Sequence, residues 1–101
     1  MMGYIHEYVK GRGSRKDQNV GVLIGYRHGA KVIITASKAN ITNGDRFDKE
    51  IGKELALDRV SAIIKGRKNR IPRSIKPSLE AFEKRCKRYF KDVTKFETPI
   101  V

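Results

Sequence analysis

The side chains best placed to do chemistry in this sequence are lysines and arginines, and 15 of its 23 fall in three short stretches. The first holds Lys10, Arg12, Arg15 and Lys16, in a polar segment that also carries Gly11 and Gly13. The second holds Lys65, Arg67, Lys68, Arg70, Arg73 and Lys76. The third holds Lys84, Arg85, Lys87, Arg88 and Lys91. Cations on long stems make charge-assisted hydrogen bonds to phosphate and displace its counterions. All of these residues except Lys65 and Arg85 make up the expected binding set for nucleic acid. Separate solvated surfaces are the plainer use of such charge, and the set acts as one only if the stretches share a face.

Other chemistry is less well served. His6 and His28 are the only histidines, and neither has a nucleophile or a second ligand at a diagnostic spacing. Asp45, Asp48, Glu50 and Glu54 form an acidic run that a metal nuclease could use. On a helix, however, Asp48 and Glu50 diverge, so a solvated helix start explains the run better. The Gly11–Lys16 segment lacks the spacing of a phosphate-cradling Walker loop. Cys86, the single cysteine, sits in an apolar helical pattern and reads as a core residue. No catalytic residue, metal or cofactor is expected.

Composition agrees with binding. The formal net charge is +12, and a polyanion relieves the self-repulsion of such a chain. With 101 residues the chain suits one domain, 1–101, and with 39% hydrophobic residues that domain has a thin core. The N-terminus shows no apolar signal segment, and no apolar run approaches a membrane span of roughly 20 residues. The expectation is a cytoplasmic protein that does not engage membrane.

The elements that must position these cations follow from pattern. Residues 4–9 alternate as a strand, and 20–26 and 31–36 read as a hairpin turning at His28-Gly29. That turn sets Arg27 opposite Ala30 and Gly25 opposite Val32. One face then carries Val20, Val22, Ile24, Tyr26 and Ile33. The other carries Gly21, Leu23, Gly25, Val32, Ile34 and Ala36, and its glycines invite a closely packed helix. Turn residues at 40–44 and an N-cap at Asp45 introduce that helix; Phe47, Ile51 and Leu55 recur every four residues, Ala56, Val60 and Ile63 extend the pattern, and Gly52 and Ala56 share a side, with Gly52 against Gly21 and Gly25. Arg59 suits a structural role on backbone carbonyls. Tyr4, Tyr8 and Tyr26 fit sheet packing better than base stacking. After a loop over 65–76, Pro77 opens a second helix. Its stripe of Leu79, Phe82, Cys86, Tyr89, Phe90 and Val93 turns Lys84, Lys87, Arg88 and Lys91 outward. The tail 95–101 either stays mobile or docks as an edge. The predicted class is α+β, a three-stranded antiparallel sheet (a β-meander) followed by two α-helices.

Residues 37–60 resemble a stretch of small accessory proteins encoded by tailed bacteriophages. The likeness rests on Ser37 after the hairpin, then Gly44-Asp45, Phe47, Lys49, Gly52, Ala56 and Arg59. It covers about a quarter of the chain and none of the basic stretches. It implies a hairpin-plus-helix scaffold and a viral origin in a bacterial cytoplasm, not an activity. The expected function is non-enzymatic, sequence-independent binding of nucleic acid, DNA before RNA. The alternatives are inhibition of an acidic host protein and capture of nucleotide signals in a pocket. A homodimer would double the basic face.

Overall fold

In a computed structural model, the described residues are 3–11, 13–39 and 46–100. The expected turn at 40–44, the N-cap at Asp45 and the candidate Arg12 lie outside them. β1 (Tyr4–Lys10), β2 (Asn19–His28) and β3 (Lys31–Lys38) form the antiparallel meander. The hairpin register differs from expectation by two residues: His28 pairs with Lys31, Arg27 with Val32 and Gly25 with Ile34. The turn residues are therefore Gly29 and Ala30. Gly29 has φ +61° and no non-glycine residue has positive φ among those described. Glycine at the first central position fits a type II′ turn, which follows strand twist, better than the His-Gly placement. A shift of two preserves which side chains share a face.

Val20 is an exception to the expected alternation. Val9 pairs with Gly21 and Lys10 with Asn19, so Val20 is the extra residue of a bulge. It packs with Val9 and Leu23 on the opposite face from Val22.

A fourth strand corrects the three-stranded expectation. β4 (Lys95–Glu97) docks the C-terminal segment parallel to β3, pairing Val32 with Phe96, and the sheet order is β1-β2-β3-β4. Beyond it, Ile100 bridges to Arg70 in the loop between the helices.

The two helices, α1 (Lys49–Ile64) and α2 (Lys76–Tyr89), cover opposite faces of the sheet. α1 starts one turn later than expected. Its N-cap is Asp48, whose carboxylate accepts from the Glu50 and Ile51 amides at 2.9 and 3.0 Å. It lies on the Val22–Ile24–Ile33 face and not on the face of Gly21 and Gly25. Gly52, Ala56, Val60 and Ile63 are buried, whereas Ile51 and Leu55 are 57% and 49% exposed. Small residues face the sheet because the helix backbone comes close: Thr35 Oγ1 donates to the Ala56 carbonyl at 2.8 Å, and Ser37 Oγ to the Gly52 carbonyl at 2.7 Å. Tyr4, Tyr8 and Tyr26 share this face as packing residues, with the Tyr4 and Tyr26 rings stacked at 6.3 Å.

α2 takes the glycine-bearing face instead. Leu79, Phe82 and Cys86 are buried against Leu23, Val32 and Ile34, and Phe90 and Val93 follow in the turn beyond the helix. Tyr89, expected in the stripe, is 57% exposed because Phe90 already occupies the core at the helix end. A Cβ at Gly25 would lie 2.6 Å from Cys86 Sγ and 3.5 Å from the Phe82 ring. The close helix approach expected at the glycines is real at Gly25 but belongs to the other helix, and at Gly21 the near neighbour is instead the Ser37 carbonyl of β3, 2.7 Å from such a Cβ. Burial pushes the Cys86 thiol up to about 12, so it stays protonated and unreactive.

Gly25→Ala should lower unfolding stability in urea by about 1–3 kcal/mol through overpacking. Pairing it with Cys86→Ala should cost less than the sum of the two single changes. Strict additivity would show that the two sites do not touch. Native Cys86 should react with a thiol reagent only as fast as the protein opens; rapid labelling of the folded chain would contradict its burial.

Candidate functional site

The cations fall on three parts of this scaffold. α2 runs from the Lys38 end of the sheet to the hairpin end. Lys38 Nζ donates to Ser74 Oγ at 2.7 Å ahead of α2, and Asp92 meets Arg27 just after it. Since the apolar side of α2 is buried in the sheet, Lys84, Lys87, Arg88 and Lys91 all stand exposed on or just past its outer side. Lys87 also reaches back, with Nζ 5.9 Å from the centre of the Phe96 ring in β4. Arg85 is the different one. Its Nη1 donates to the His6 carbonyl at 3.0 Å and to Glu7 Oε1 at 3.2 Å, tying α2 to β1.

The β1–β2 connection lies at the sheet end from which α2 departs, because Val9 pairs with Gly21 and Gly21 with Lys38. Lys10 and Lys16 are exposed there, with a 3-10 turn over Gly13–Arg15 between them. Arg73 and Lys76, also exposed, mark the 3-10 turn and first residue that lead into α2. A basic ridge can thus follow α2 from this end toward the hairpin, about 21 Å for its 14 residues.

The third part is a cleft at the β3 edge, with a volume of about 500 Å³. Arg67, Lys68 and Arg70 line it from the loop between the helices. Lys38 and Arg59 line it too, two cations outside the expected binding set. β4 pairs with β3 only at Lys31–Ile33, so the next edge carbonyls need other donors. Asn69, which is buried, donates Nδ2 to the Ile34 carbonyl at 2.7 Å. Arg59 donates Nη1 to the Ala36 carbonyl, as its expected structural role requires. Those two bonds anchor the cleft's loop and one of its arginines to the sheet. Neither was legible from clustering, since Lys38, Arg59 and Asn69 come from three elements and meet only after folding.

Four of the acids have structural work. Asp48 caps α1, and Glu7, Asp92 and Glu97 pair with Arg85, Arg27 and Lys31. Among the described residues no three His, Cys, Asp or Glu side chains gather as a metal site would need. No helix among them is long and apolar enough to cross a membrane. The His6 imidazole is held below its ordinary value by burial and then by the charges of Lys53 and Arg85, so it favours its neutral form.

Asn69→Leu removes the donor and leaves the Ile34 carbonyl without its side-chain partner. Loss of about 1–3 kcal/mol in unfolding stability is expected, and full stability would remove Asn69 from its role as the edge anchor. Compared with known proteins, the chain matches no family model, no curated protein and no solved structure.

Proposed function

We propose that this chain binds nucleic acid without cleaving it, DNA in preference to RNA, by holding backbone phosphates along the outer face of α2. The observation that carries the reading is the orientation of that helix. Its buried Leu79, Phe82 and Cys86 commit one side to the sheet and leave Lys84, Lys87 and Arg88 exposed, with Lys87 leaning toward Phe96. Lys91 in the following turn extends the row, and Arg73, Lys76, Lys10 and Lys16 continue it at the other end. A surplus of 12 positive charges favours any polyanion at long range and speeds its capture. Phosphate contacts position a duplex but carry no base information, so the binding is sequence-independent. A ridge of about 21 Å covers roughly six base-pair steps. The resemblance of residues 37–60 to tailed-phage accessory proteins suggests a setting in a bacterial cytoplasm, where genome organisation or interference with host machinery would need no catalysis.

The test is a set of binding isotherms on unrelated duplexes at several salt concentrations, with circular dichroism to monitor folding. Changing Lys84, Lys87 and Lys91 to Glu together should weaken every duplex by similar factors and leave the fold intact. Neutralising one phosphate-contacting residue should flatten the slope of log affinity against log salt by about 1. Full affinity in the folded triple variant would take α2 out of the interface. No binding by the parent chain would turn the reading toward an acidic protein partner. Adding magnesium, manganese or zinc should produce no cleavage of the bound DNA, and cleavage abolished by Asp48→Ala would overturn the non-enzymatic reading.

A further inference from the structure

The cleft at the β3 edge differs in kind from the α2 ridge. A ridge meets a polymer's backbone from outside, whereas a concave site encloses a discrete group. At about 500 Å³ the cleft is of the size that small-molecule sites take, and a lone phosphate would leave most of it empty. Its lining is of two sorts. Ala62, Ile63 and Ile71 are apolar, and Arg59, Arg67 and Arg70 are arginines whose stems can carry a guanidinium into it. None of the lining residues is acidic. A ligand matched to both would carry a flat, weakly polar body and a phosphate.

The charged part of the lining is partly preorganised. A guanidinium has five N–H donors, and Arg59 directs one at the Ala36 carbonyl. That bond holds the side chain in place and leaves other donors for an anion. Asn69, buried and bonded to Ile34, fixes the loop between Arg67 and Arg70. The backbone of the same loop is held from its far side: the Ile71 amide donates to the Ile100 carbonyl at 3.0 Å, and the Ile100 amide to the Asn69 carbonyl at 2.7 Å. A site whose loop and central arginine are already fixed loses less entropy when it closes on a ligand. Arginine also suits planar, bidentate phosphate recognition better than lysine does.

We propose that this cleft binds one nucleotide unit, with the phosphate on Arg59, Arg67 and Arg70 and the nucleoside against Ala62, Ile63 and Ile71. The unit is either a free nucleotide or the phosphorylated end of a strand, which present the same chemistry. The site is separate from α2, so this inference and the proposed function can fail independently.

The experiment is calorimetric titration of the intact chain with adenosine 5′-monophosphate, adenosine and inorganic phosphate, repeated with oligonucleotides bearing a 5′-phosphate or a 5′-hydroxyl. The monophosphate should bind at least about tenfold more tightly than adenosine or phosphate alone, since only it uses both linings. Arg67→Glu with Arg70→Glu, both at exposed positions, should abolish that binding in a protein with unchanged circular dichroism. Ala62→Phe, which fills the cleft without altering charge, should do the same. Preference for the 5′-phosphorylated oligonucleotide over the free nucleotide identifies a strand end as the ligand, and the reverse preference identifies a free nucleotide; both support the cleft. Nucleotide binding that survives in the Lys84, Lys87 and Lys91 triple variant separates it from the ridge. It would stand even if plain duplexes did not bind. Equal affinity for the monophosphate and inorganic phosphate, or an unaffected folded double variant, would overturn the inference.

Discussion

Two hydroxyls on one strand set the distance between the layers of this fold. Thr35 and Ser37, two residues apart on β3, each donate to a carbonyl of α1, at Ala56 and Gly52. Two residues along a strand advance about 6.7 Å and four along a helix about 6.0 Å, so β3 and α1, running antiparallel, can make both bonds in matching register. The arrangement works only with almost nothing between the backbones, and Gly52 and Ala56 supply that. A Cβ at Gly52 would come within 2.7 Å of the Phe47 ring. With α1 locked down in this way, its last turn ends over Ile33 and the chain must leave past the β3 edge. Crossing there, the loop brings Asn69 and Arg70 alongside β3 and delivers α2 to the opposite face. The cleft and the ridge both follow from that crossing.

Sequence patterns revealed some of this and hid the rest, for identifiable reasons. The meander was legible because alternation in β1–β3 and the Gly29 turn are local signals. The stripe of α2 was legible because Leu79, Phe82 and Cys86 are strongly apolar against a basic remainder. α1 is only partly legible because the first half of its buried side is small rather than hydrophobic. Ile51 and Leu55, which look like core, are exposed, whereas the close-packed side expected at Gly52 and Ala56 and the apolar positions Val60 and Ile63 are buried, against the opposite sheet face from the one expected. β4 was not specified because a three-residue strand beside Pro99 has too little pattern, and its parallel partner is far away in sequence. The α2 ridge could be read from spacing on one helix. The cleft could not, since its cations arrive from β3, α1 and the following loop.

Charge is distributed as unevenly as apolarity. The three ion pairs among the described residues sit at seams: Arg85–Glu7 between α2 and β1, Lys31–Glu97 between β3 and β4, and Arg27–Asp92 between the hairpin and the end of α2. Arg27 holds the Asp92 carboxyl below its usual range by a hydrogen bond. Pairs as open to solvent as these are screened by it, so their value lies more in alignment than in strength. Their effect on the surface is larger. Acids spent at seams leave exposed Glu80 and half-buried Glu83 as the acids of α2, outnumbered by its cations, and none in the lining of the cleft, so the excess charge is left where a polyanion could reach it.

The parallel strand at the edge has a consequence for how the molecule assembles. β1, β2 and β3 meet through short connections, but β4 joins Lys31–Ile33 to a segment from the other end of the chain, with both helices between. Closing that long loop is entropically costly before any contact repays it, so the meander should collapse early and the last strand dock late. Until it docks, the β3 edge at Lys31–Ile33 is an open template. At high concentration during refolding, the segment of one molecule can complete the sheet of another, and strand exchange is the misassembly this topology leaves available.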